Sequence, residues 1–179
     1  MREAFSANVM QQVAAMRRYA RTLTRDDGAA DDLVQQALLL AIERAESFRQ
    51  GGSLKGWLLA IVHNQFVSGM RRAAVEKRGL DGLAAIPRDD MIGAGQEQAY
   101  HLQEVAERFA ALPDTQRAVL HLIAIEGLSY RDAADALDIP IGTVMSRLAR
   151  ARAALRGAGD AERESREAGL RIVGGRDVE

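Results

Sequence analysis

Apolar residues recur at three- and four-residue intervals along most of this chain, and the runs part wherever glycine, proline or paired acids interrupt them. That period predicts helices. Val9, Val13, Met16, Tyr19, Ala20 and Leu23 mark a first helix from about Ala7 to Thr24, ended by Asp26-Asp27-Gly28. A second is expected from about Ala29 to Ser47, with Leu33, Ala37, Leu40, Ala41 and Arg44 along one side. Its other side carries Asp32, Gln35, Gln36 and Leu39. An outward leucine beside an acid and two amides suggests a protein-binding patch, set against the commoner reading of a solvated face. After the loop Phe48 to Gly52, Ser53 suits the N-cap of a third helix, Leu54 to about Lys77. Trp57, Leu58, Ile61, Val62, Phe66 and Met70 form its expected apolar side, and Arg71, Arg72, Lys77 and Arg78, opposed by Glu76 alone, make its far end basic.

From Gly79 to about Gln96 the periodicity lapses into glycines, a proline and acids, the character of a linker. Helices resume at Glu97 to Ala111, with Leu102, Val105, Ala106 and Phe109 inward, and at Asp114 to Ile125 beyond the break at Pro113. The next stretch is the most informative. Ser129 precedes an apolar run with Asp132 three residues on, the spacing of a capping box, so that Ala133, Ala134 and Leu137 face inward. Asp138 to Gly142 contains Pro140, which stops that helix and suits the first turn of another. On this last helix Val144, Leu148, Ala151 and Leu155 fall on one stripe. Thr143, Ser146, Arg147 and Arg150 project to one side of it, Arg152 and Arg156 to the other. Two short helices about a tight turn, the second basic and free of acids from Ile141 to Arg156, have the shape and charge to enter a DNA major groove. Arginine grips guanine edges or phosphates with paired hydrogen bonds, and hydroxyls do either more weakly. Against this stands the plainer possibility of a solubilising helix face.

The fold class is therefore all-α. Two small helical domains, residues 1–78 and 97–156, are joined by a flexible linker at 79–96, the second being a helix-turn-helix four-helix domain. Residues 157–179 are expected to form a tail, disordered beyond a short helical extension. Composition agrees: aromatic residues make up 4% of the 179, and prolines number three. Without cysteine no disulfide or cysteine-ligated zinc site can form, and His63, His101 and His121 lack metal-ligand spacing. No nucleophile–base pair, phosphate-cradling glycine loop or metal cluster marks an enzyme, and no cofactor is expected. No segment has the length of apolar residues that spans a bilayer, so membrane insertion is not expected and the cytoplasm is the expected location. The net charge of −1 is unevenly spread, with Asp31, Asp32, Glu43 and Glu46 early and the arginines later. Local charge governs the choice of partner.

Two blocks in fixed order resemble the extracytoplasmic-function (ECF) sigma factors of the bacterial sigma-70 family. The first comprises Ala30 to Gln36, then Ser47-Phe48-Arg49, then Trp57-Leu58 through Asn64. The second comprises Leu112-Pro113, Gln116-Arg117, Gly127 to Tyr130, Ala133-Ala134, Pro140 to Val144, Ser146-Arg147 and Arg150 to Arg152. The resemblance spans roughly Tyr19 to Leu155. It implies a sigma region 2-like first domain and a sigma region 4-like second domain that direct core RNA polymerase to specific promoters and help melt them. The minus 35 element would be read as duplex by Thr143, Ser146, Arg147 and Arg150. The melted minus 10 element would meet Gln50, Ser53, Leu54, Trp57, Asn64, Arg71 and Arg72, with one base held out of the stack. Asp32, Gln35, Gln36 and Leu39 would grip core polymerase. An anti-sigma factor is the implied regulator, and no small-molecule substrate is implied.

Three positions depart from the family pattern: Gln36 stands where glutamate is usual, Met145 where a base is common, and Leu54 where an aromatic is frequent in the base-binding loop. The competing function is a stand-alone helix-turn-helix regulator bound to duplex DNA without polymerase, and a third is a helical adaptor with no nucleic-acid role.

Overall fold

A computed structural model describes the backbone of residues 2–49, 51–77 and 96–169, with side chains at 5–49, 51–75 and 103–156. Every regular element among the described residues is helical. The helices are α1 (Arg2–Thr24), α2 (Asp27–Glu43), α3 (Leu54–Lys77), α4 (Gln96–Ala111), α5 (Asp114–Leu120), α6 (Tyr130–Leu137) and α7 (Ile141–Gly169). A 3-10 turn at Ala45–Ser47 follows α2, and a π-helical turn at His121–Ile125 continues α5.

The ends of these helices have local causes. Arg25 adopts a left-handed conformation (φ 58°), which breaks α1. Asp26 then caps α2, its carboxylate accepting from the Ala29 N–H at 2.6 Å, so α2 starts before the glycine that was expected to separate the two helices. Ser53 Oγ accepts from the Gly56 N–H at 3.0 Å and opens α3. Ser129 Oγ accepts from the Asp132 N–H at 3.0 Å and opens α6. Asp138, again left-handed at φ 52°, closes α6, and the Pro140 carbonyl accepts from Thr143 and Val144 to begin α7.

The first three helices pack on one another, with Met16, Tyr19, Ala20, Ala37, Leu58 and Val62 fully buried at their centre. In the second group α4, α5 and α6 pack on α7 around Val119, Leu122, Ala133, Val144 and Ala151. The groups also touch: α6 lies on α3, and α5 with its π turn lies on α1. One continuous apolar core results.

Several expected inward positions turn out otherwise. Arg44 and Met70 are exposed, because α2 ends before Arg44 and because residues 68–75 of α3 project beyond the bundle. Val105 and Ala106 are exposed as well, since α4 packs along α7 on a narrow line that includes Phe109. Leu102, Lys77, Arg78 and the expected linker lie outside the described side chains. The helix expected to run unbroken from Asp114 to Ile125 changes at His121 to i→i+5 bonding. Past Arg156, α7 continues to Gly169, well beyond the short extension expected. Eight of the thirteen residues from 157 to 169 are alanine, glutamate or arginine, strong helix formers that outnumber the three glycines.

Candidate nucleic-acid and polymerase interfaces

The helix-turn-helix is built as its sequence pattern implies. Val144, Leu148 and Ala151 are buried under α7, and Ser146 and Arg150 stand in solvent on the far side. Thr143 and Arg147 are half-buried at the flank. Ser146 Oγ donates to the Thr143 carbonyl at 3.0 Å, which holds the hydroxyl against its own helix in the absence of another partner. Met145 is about half exposed on this helix, beside the acid-free basic run.

On α3, Ser53, Trp57, Asn64 and Arg71 fall on one stripe, since residues seven apart are nearly two turns apart. Asn64, Arg71 and Arg72 are exposed. Ser53 is exposed too, although its hydroxyl serves as the α3 cap. Leu54 is half-buried against the core. The Trp57 indole is not a free platform. Its ring packs edge-on to Phe5 with centroids 6.2 Å apart and against Phe48 at 5.5 Å, which ties the start of α3 to α1 and to the loop after α2. Gln50 lies outside the described residues.

The outward side of α2 presents Asp32, Gln35, Gln36 and Leu39, all exposed. Leu39 is 64% exposed and Ile42, one turn below, 60%. Two bulky aliphatics are thus left in water on one side of this helix. Two acids in the first half of this helix are matched: Arg17 of α1 forks onto Asp31 at 2.7 and 2.6 Å, and Arg21 pairs with Asp27 at 2.7 Å. The Arg17 hydrogen bond holds the Asp31 carboxyl below the usual carboxylate range, against a smaller opposing effect of desolvation.

A charged cluster that the sequence pattern did not single out sits where the two helical groups meet. Glu126, at the end of the π turn, is 4% exposed, and its carboxylate accepts a fork from Arg18 Nε and Nη2 of α1 at 2.9 and 3.0 Å. Lys55 of α3 donates to its Oε2 at 2.8 Å and to its backbone carbonyl at 2.5 Å. Burial by itself would raise the Glu126 carboxyl, but the Arg18 and Lys55 bonds outweigh it and hold it below the usual range. His121 Nε2 lies 3.3 Å from Glu126 Oε1 without a hydrogen bond, while its Nδ1 is 2.8 Å from Thr22 Oγ1. Burial holds His121 neutral, with a pKa of about 4 that the Glu126 charge restores only in part.

Nearby, the Tyr19 hydroxyl meets His63 Nδ1 at 3.0 Å. Burial first, and then the positive charge of Arg147, push His63 to about 4. Arg117, itself buried, donates to the carbonyls of Thr22 at 2.9 Å and Leu112 at 2.8 Å and pairs with Asp114. No metal-binding cluster occurs among the described residues. Nor is any described helix long and apolar enough to cross a membrane.

Against known proteins, the family described as Sigma-70, region 4 matches residues 102–155, and the Sigma2 domain of PhyR matches residues 9–63. The chain is 34% identical to the ECF RNA polymerase sigma factor EcfG of Rhodopseudomonas palustris, an alignment that covers 83% of this chain and 81% of the relative. It belongs to the ECF sigma factors. The sigma factor is also 38% identical to SigC of Mycobacterium tuberculosis, over 73% of this chain and 70% of that one. The solved structure of the sigma factor RpoE in complex with the anti-sigma factor NepR from Bartonella quintana superposes with a TM-score of 0.74. That match is 34% identical and covers 86% of this chain and 95% of the other. CnrH in complex with the cytosolic domain of CnrY follows at 0.62, 26% identical, covering 90% and 91%. As a sigma factor the chain directs core RNA polymerase to promoter DNA.

Proposed function

We propose that this sigma factor divides its work between its helical groups, residues 1–78 serving core polymerase and the minus 10 element and residues 97–156 the minus 35 element. The observation that carries the division is the opposition on α7 of a buried Val144-Leu148-Ala151 stripe and an outward Ser146 and Arg150. A helix so seated enters the major groove with Thr143, Ser146, Arg147 and Arg150 toward base edges and phosphates. On α3, Asn64 and the Ser53–Leu54 turn, with Gln50 of the preceding loop, receive the melted strand, and Arg71 and Arg72 follow its backbone. Trp57 forms the floor of that turn through its packing on Phe5 and Phe48. Asp32, Gln35, Gln36 and Leu39, extended by Ile42, contact polymerase.

The protein acts by binding and positioning, without catalysis of its own, in the cytoplasm where its polymerase works. A separate anti-sigma factor restrains it, a reading supported by the two complexes of its structural neighbours.

Transcription in vitro with core bacterial RNA polymerase and a promoter library tests this. Initiation should depend on the protein and fall when Asp32 and Gln35 are changed together. Replacing Arg147 and Arg150 with alanine should abolish preference among minus 35 sequences. Unchanged output from either variant would remove the role assigned there.

A further inference from the structure

Val144 and Leu148 of α7 are buried, yet two other bulky apolar side chains of the same helix stand in water. Ile141 is 46% exposed and Met145 48%. Residues four apart on an α-helix differ by only about 40° in direction, so Ile141, Met145 and the exposed Ala149 form one ridge. By the same rule Met145 points about 140° to 160° away from Thr143, Arg147 and Arg150. The apolar ridge is therefore one shoulder of α7, and the hydroxyl and guanidinium groups occupy the other.

Between the shoulders the helix is low. Gly142, Ser146 and Ala153 are small and exposed, and a Cβ on Gly142 would meet nothing within 4 Å. The Ser146 hydroxyl is turned back onto the Thr143 carbonyl. A helix with so low a centre can sit deep in a major groove and bring both shoulders to base edges, which its N-terminal turns reach first. Ile141 and Met145 belong to those turns, and Arg152 and Arg156 stand exposed farther along on their side, where phosphates pass. Four arginines and no acid between Ile141 and Arg156 make DNA, rather than an apolar protein surface, the partner that this charge favours.

We propose that Met145 is a specificity-determining residue that reads the 5-methyl group of a thymine in the minus 35 element. The proposal rests on the reading of α7 as the helix that enters the groove. Thymine alone presents an apolar group there; cytosine has a hydrogen at the same carbon, and the purines show polar nitrogen and oxygen edges. An unbranched thioether side chain is flexible and polarisable, so it adapts to a methyl without demanding one exact geometry. The two shoulders of α7 thus select different bases, the polar one by hydrogen bonds and the apolar one by a methyl contact. Burying one methyl group is worth about fourfold in affinity.

Deoxyuridine isolates this contact, because it removes the methyl and keeps the base pair. Each thymine of the minus 35 element, on either strand of a promoter found with the library, is replaced by deoxyuridine in turn. Binding of that promoter by full-length protein with core polymerase is then measured. At one position or more the replacement should weaken binding about fourfold. Met145→Ala, which changes a side chain outside the core and so keeps the fold, should weaken binding to the thymine promoter by a similar factor. The same variant should bind the deoxyuridine promoter as the parent does. Insensitivity of the parent to every replacement would overturn the proposal, as would methyl sensitivity that persists in Met145→Ala. An equal loss on both promoters would overturn it too, since Met145 would then be covered by protein. The Arg147 and Arg150 alanine variant reports separately on α7: if it keeps its minus 35 preference, the reading of that helix has failed instead.

Discussion

Arg17 and Arg18 are neighbours on α1, and each forks onto a carboxylate, yet the two pairs have different consequences. Arg17 meets Asp31 at 2.6 to 2.7 Å with both side chains substantially in water. Arg18 meets Glu126 at 2.9 to 3.0 Å with the carboxylate wholly buried. The shorter contact is the weaker determinant, since water and salt screen it and the ions it joins would be well solvated apart. The longer one is held in a medium where an unpaired charge is costly, so its removal is felt even though its formation gains little. Hydrogen-bond length is a poor guide to which ion pair governs this molecule; the surroundings of the carboxylate decide.

The largest effect should come from replacing Arg18 and Lys55 together with alanine, which leaves the buried Glu126 carboxylate unpaired. A loss of about 3 to 5 kcal/mol is typical for one partner of a buried pair, and a denaturant titration would read it as a lower midpoint. Next in size is the response to acid. His121, with a pKa of about 4 against 6.5 when free, is faced by Thr22, Arg18, Lys55 and Glu126, and its burial favours the neutral ring. A histidine with a depressed folded pKa contributes stability that is complete above pH 6.5 and is lost as pH falls toward 4. The loss is roughly 3 kcal/mol at about 1.4 kcal/mol per unit. Glu126, held below 4.5, begins to give up its own contribution only under more acidic conditions. Stability measured between pH 7 and 4 should slope accordingly, and because His63 is held at about 4 as well, His121→Gln should remove about half of that slope; an unchanged slope would place the acid sensitivity elsewhere.

Smaller again is Ser129→Ala, which removes the α6 cap and should cost about 1 kcal/mol in a thermal or chemical melt. Least of all is Arg17→Ala. Its unfolding midpoint should be indistinguishable from the parent at physiological salt, and a marked drop would show that exposure misjudges the Arg17–Asp31 pair.

Legibility followed the same division. The capping pattern Ser129-x-x-Asp132, the stop at Pro140 and the stripe Val144-Leu148-Ala151 are local, and each sets its own hydrogen bonds and burial within a few residues, so the helix-turn-helix could be read directly. The outward Leu39 was likewise visible from the period of α2. The ring cluster that half-buries Trp57 was not, because Phe5 and Phe48 are distant in sequence and come together only when α1 packs on α3. Lys55, Leu59 and His63 were equally hidden. They share a side of α3, and Leu59 is fully buried, yet periodicity had already given this helix one apolar face and offered no reason for a second.

What the sequence determined by itself is therefore the helical class, the caps at Ser53 and Ser129, the one-sided apolar stripe of α7 and the outward residues of α2, since all follow from spacing within one helix or across one turn. What the tertiary structure decided is the fate of the isolated charges. In the string HLIAIEGLS, Glu126 looks like an ordinary solvated residue at a helix end. Only the π turn, which rotates it into register with His121, and the arrival of Arg18 and Lys55 from elements far away in the chain make it a buried anion. A carboxylate's local sequence does not determine its solvation; the elements that later close over it do.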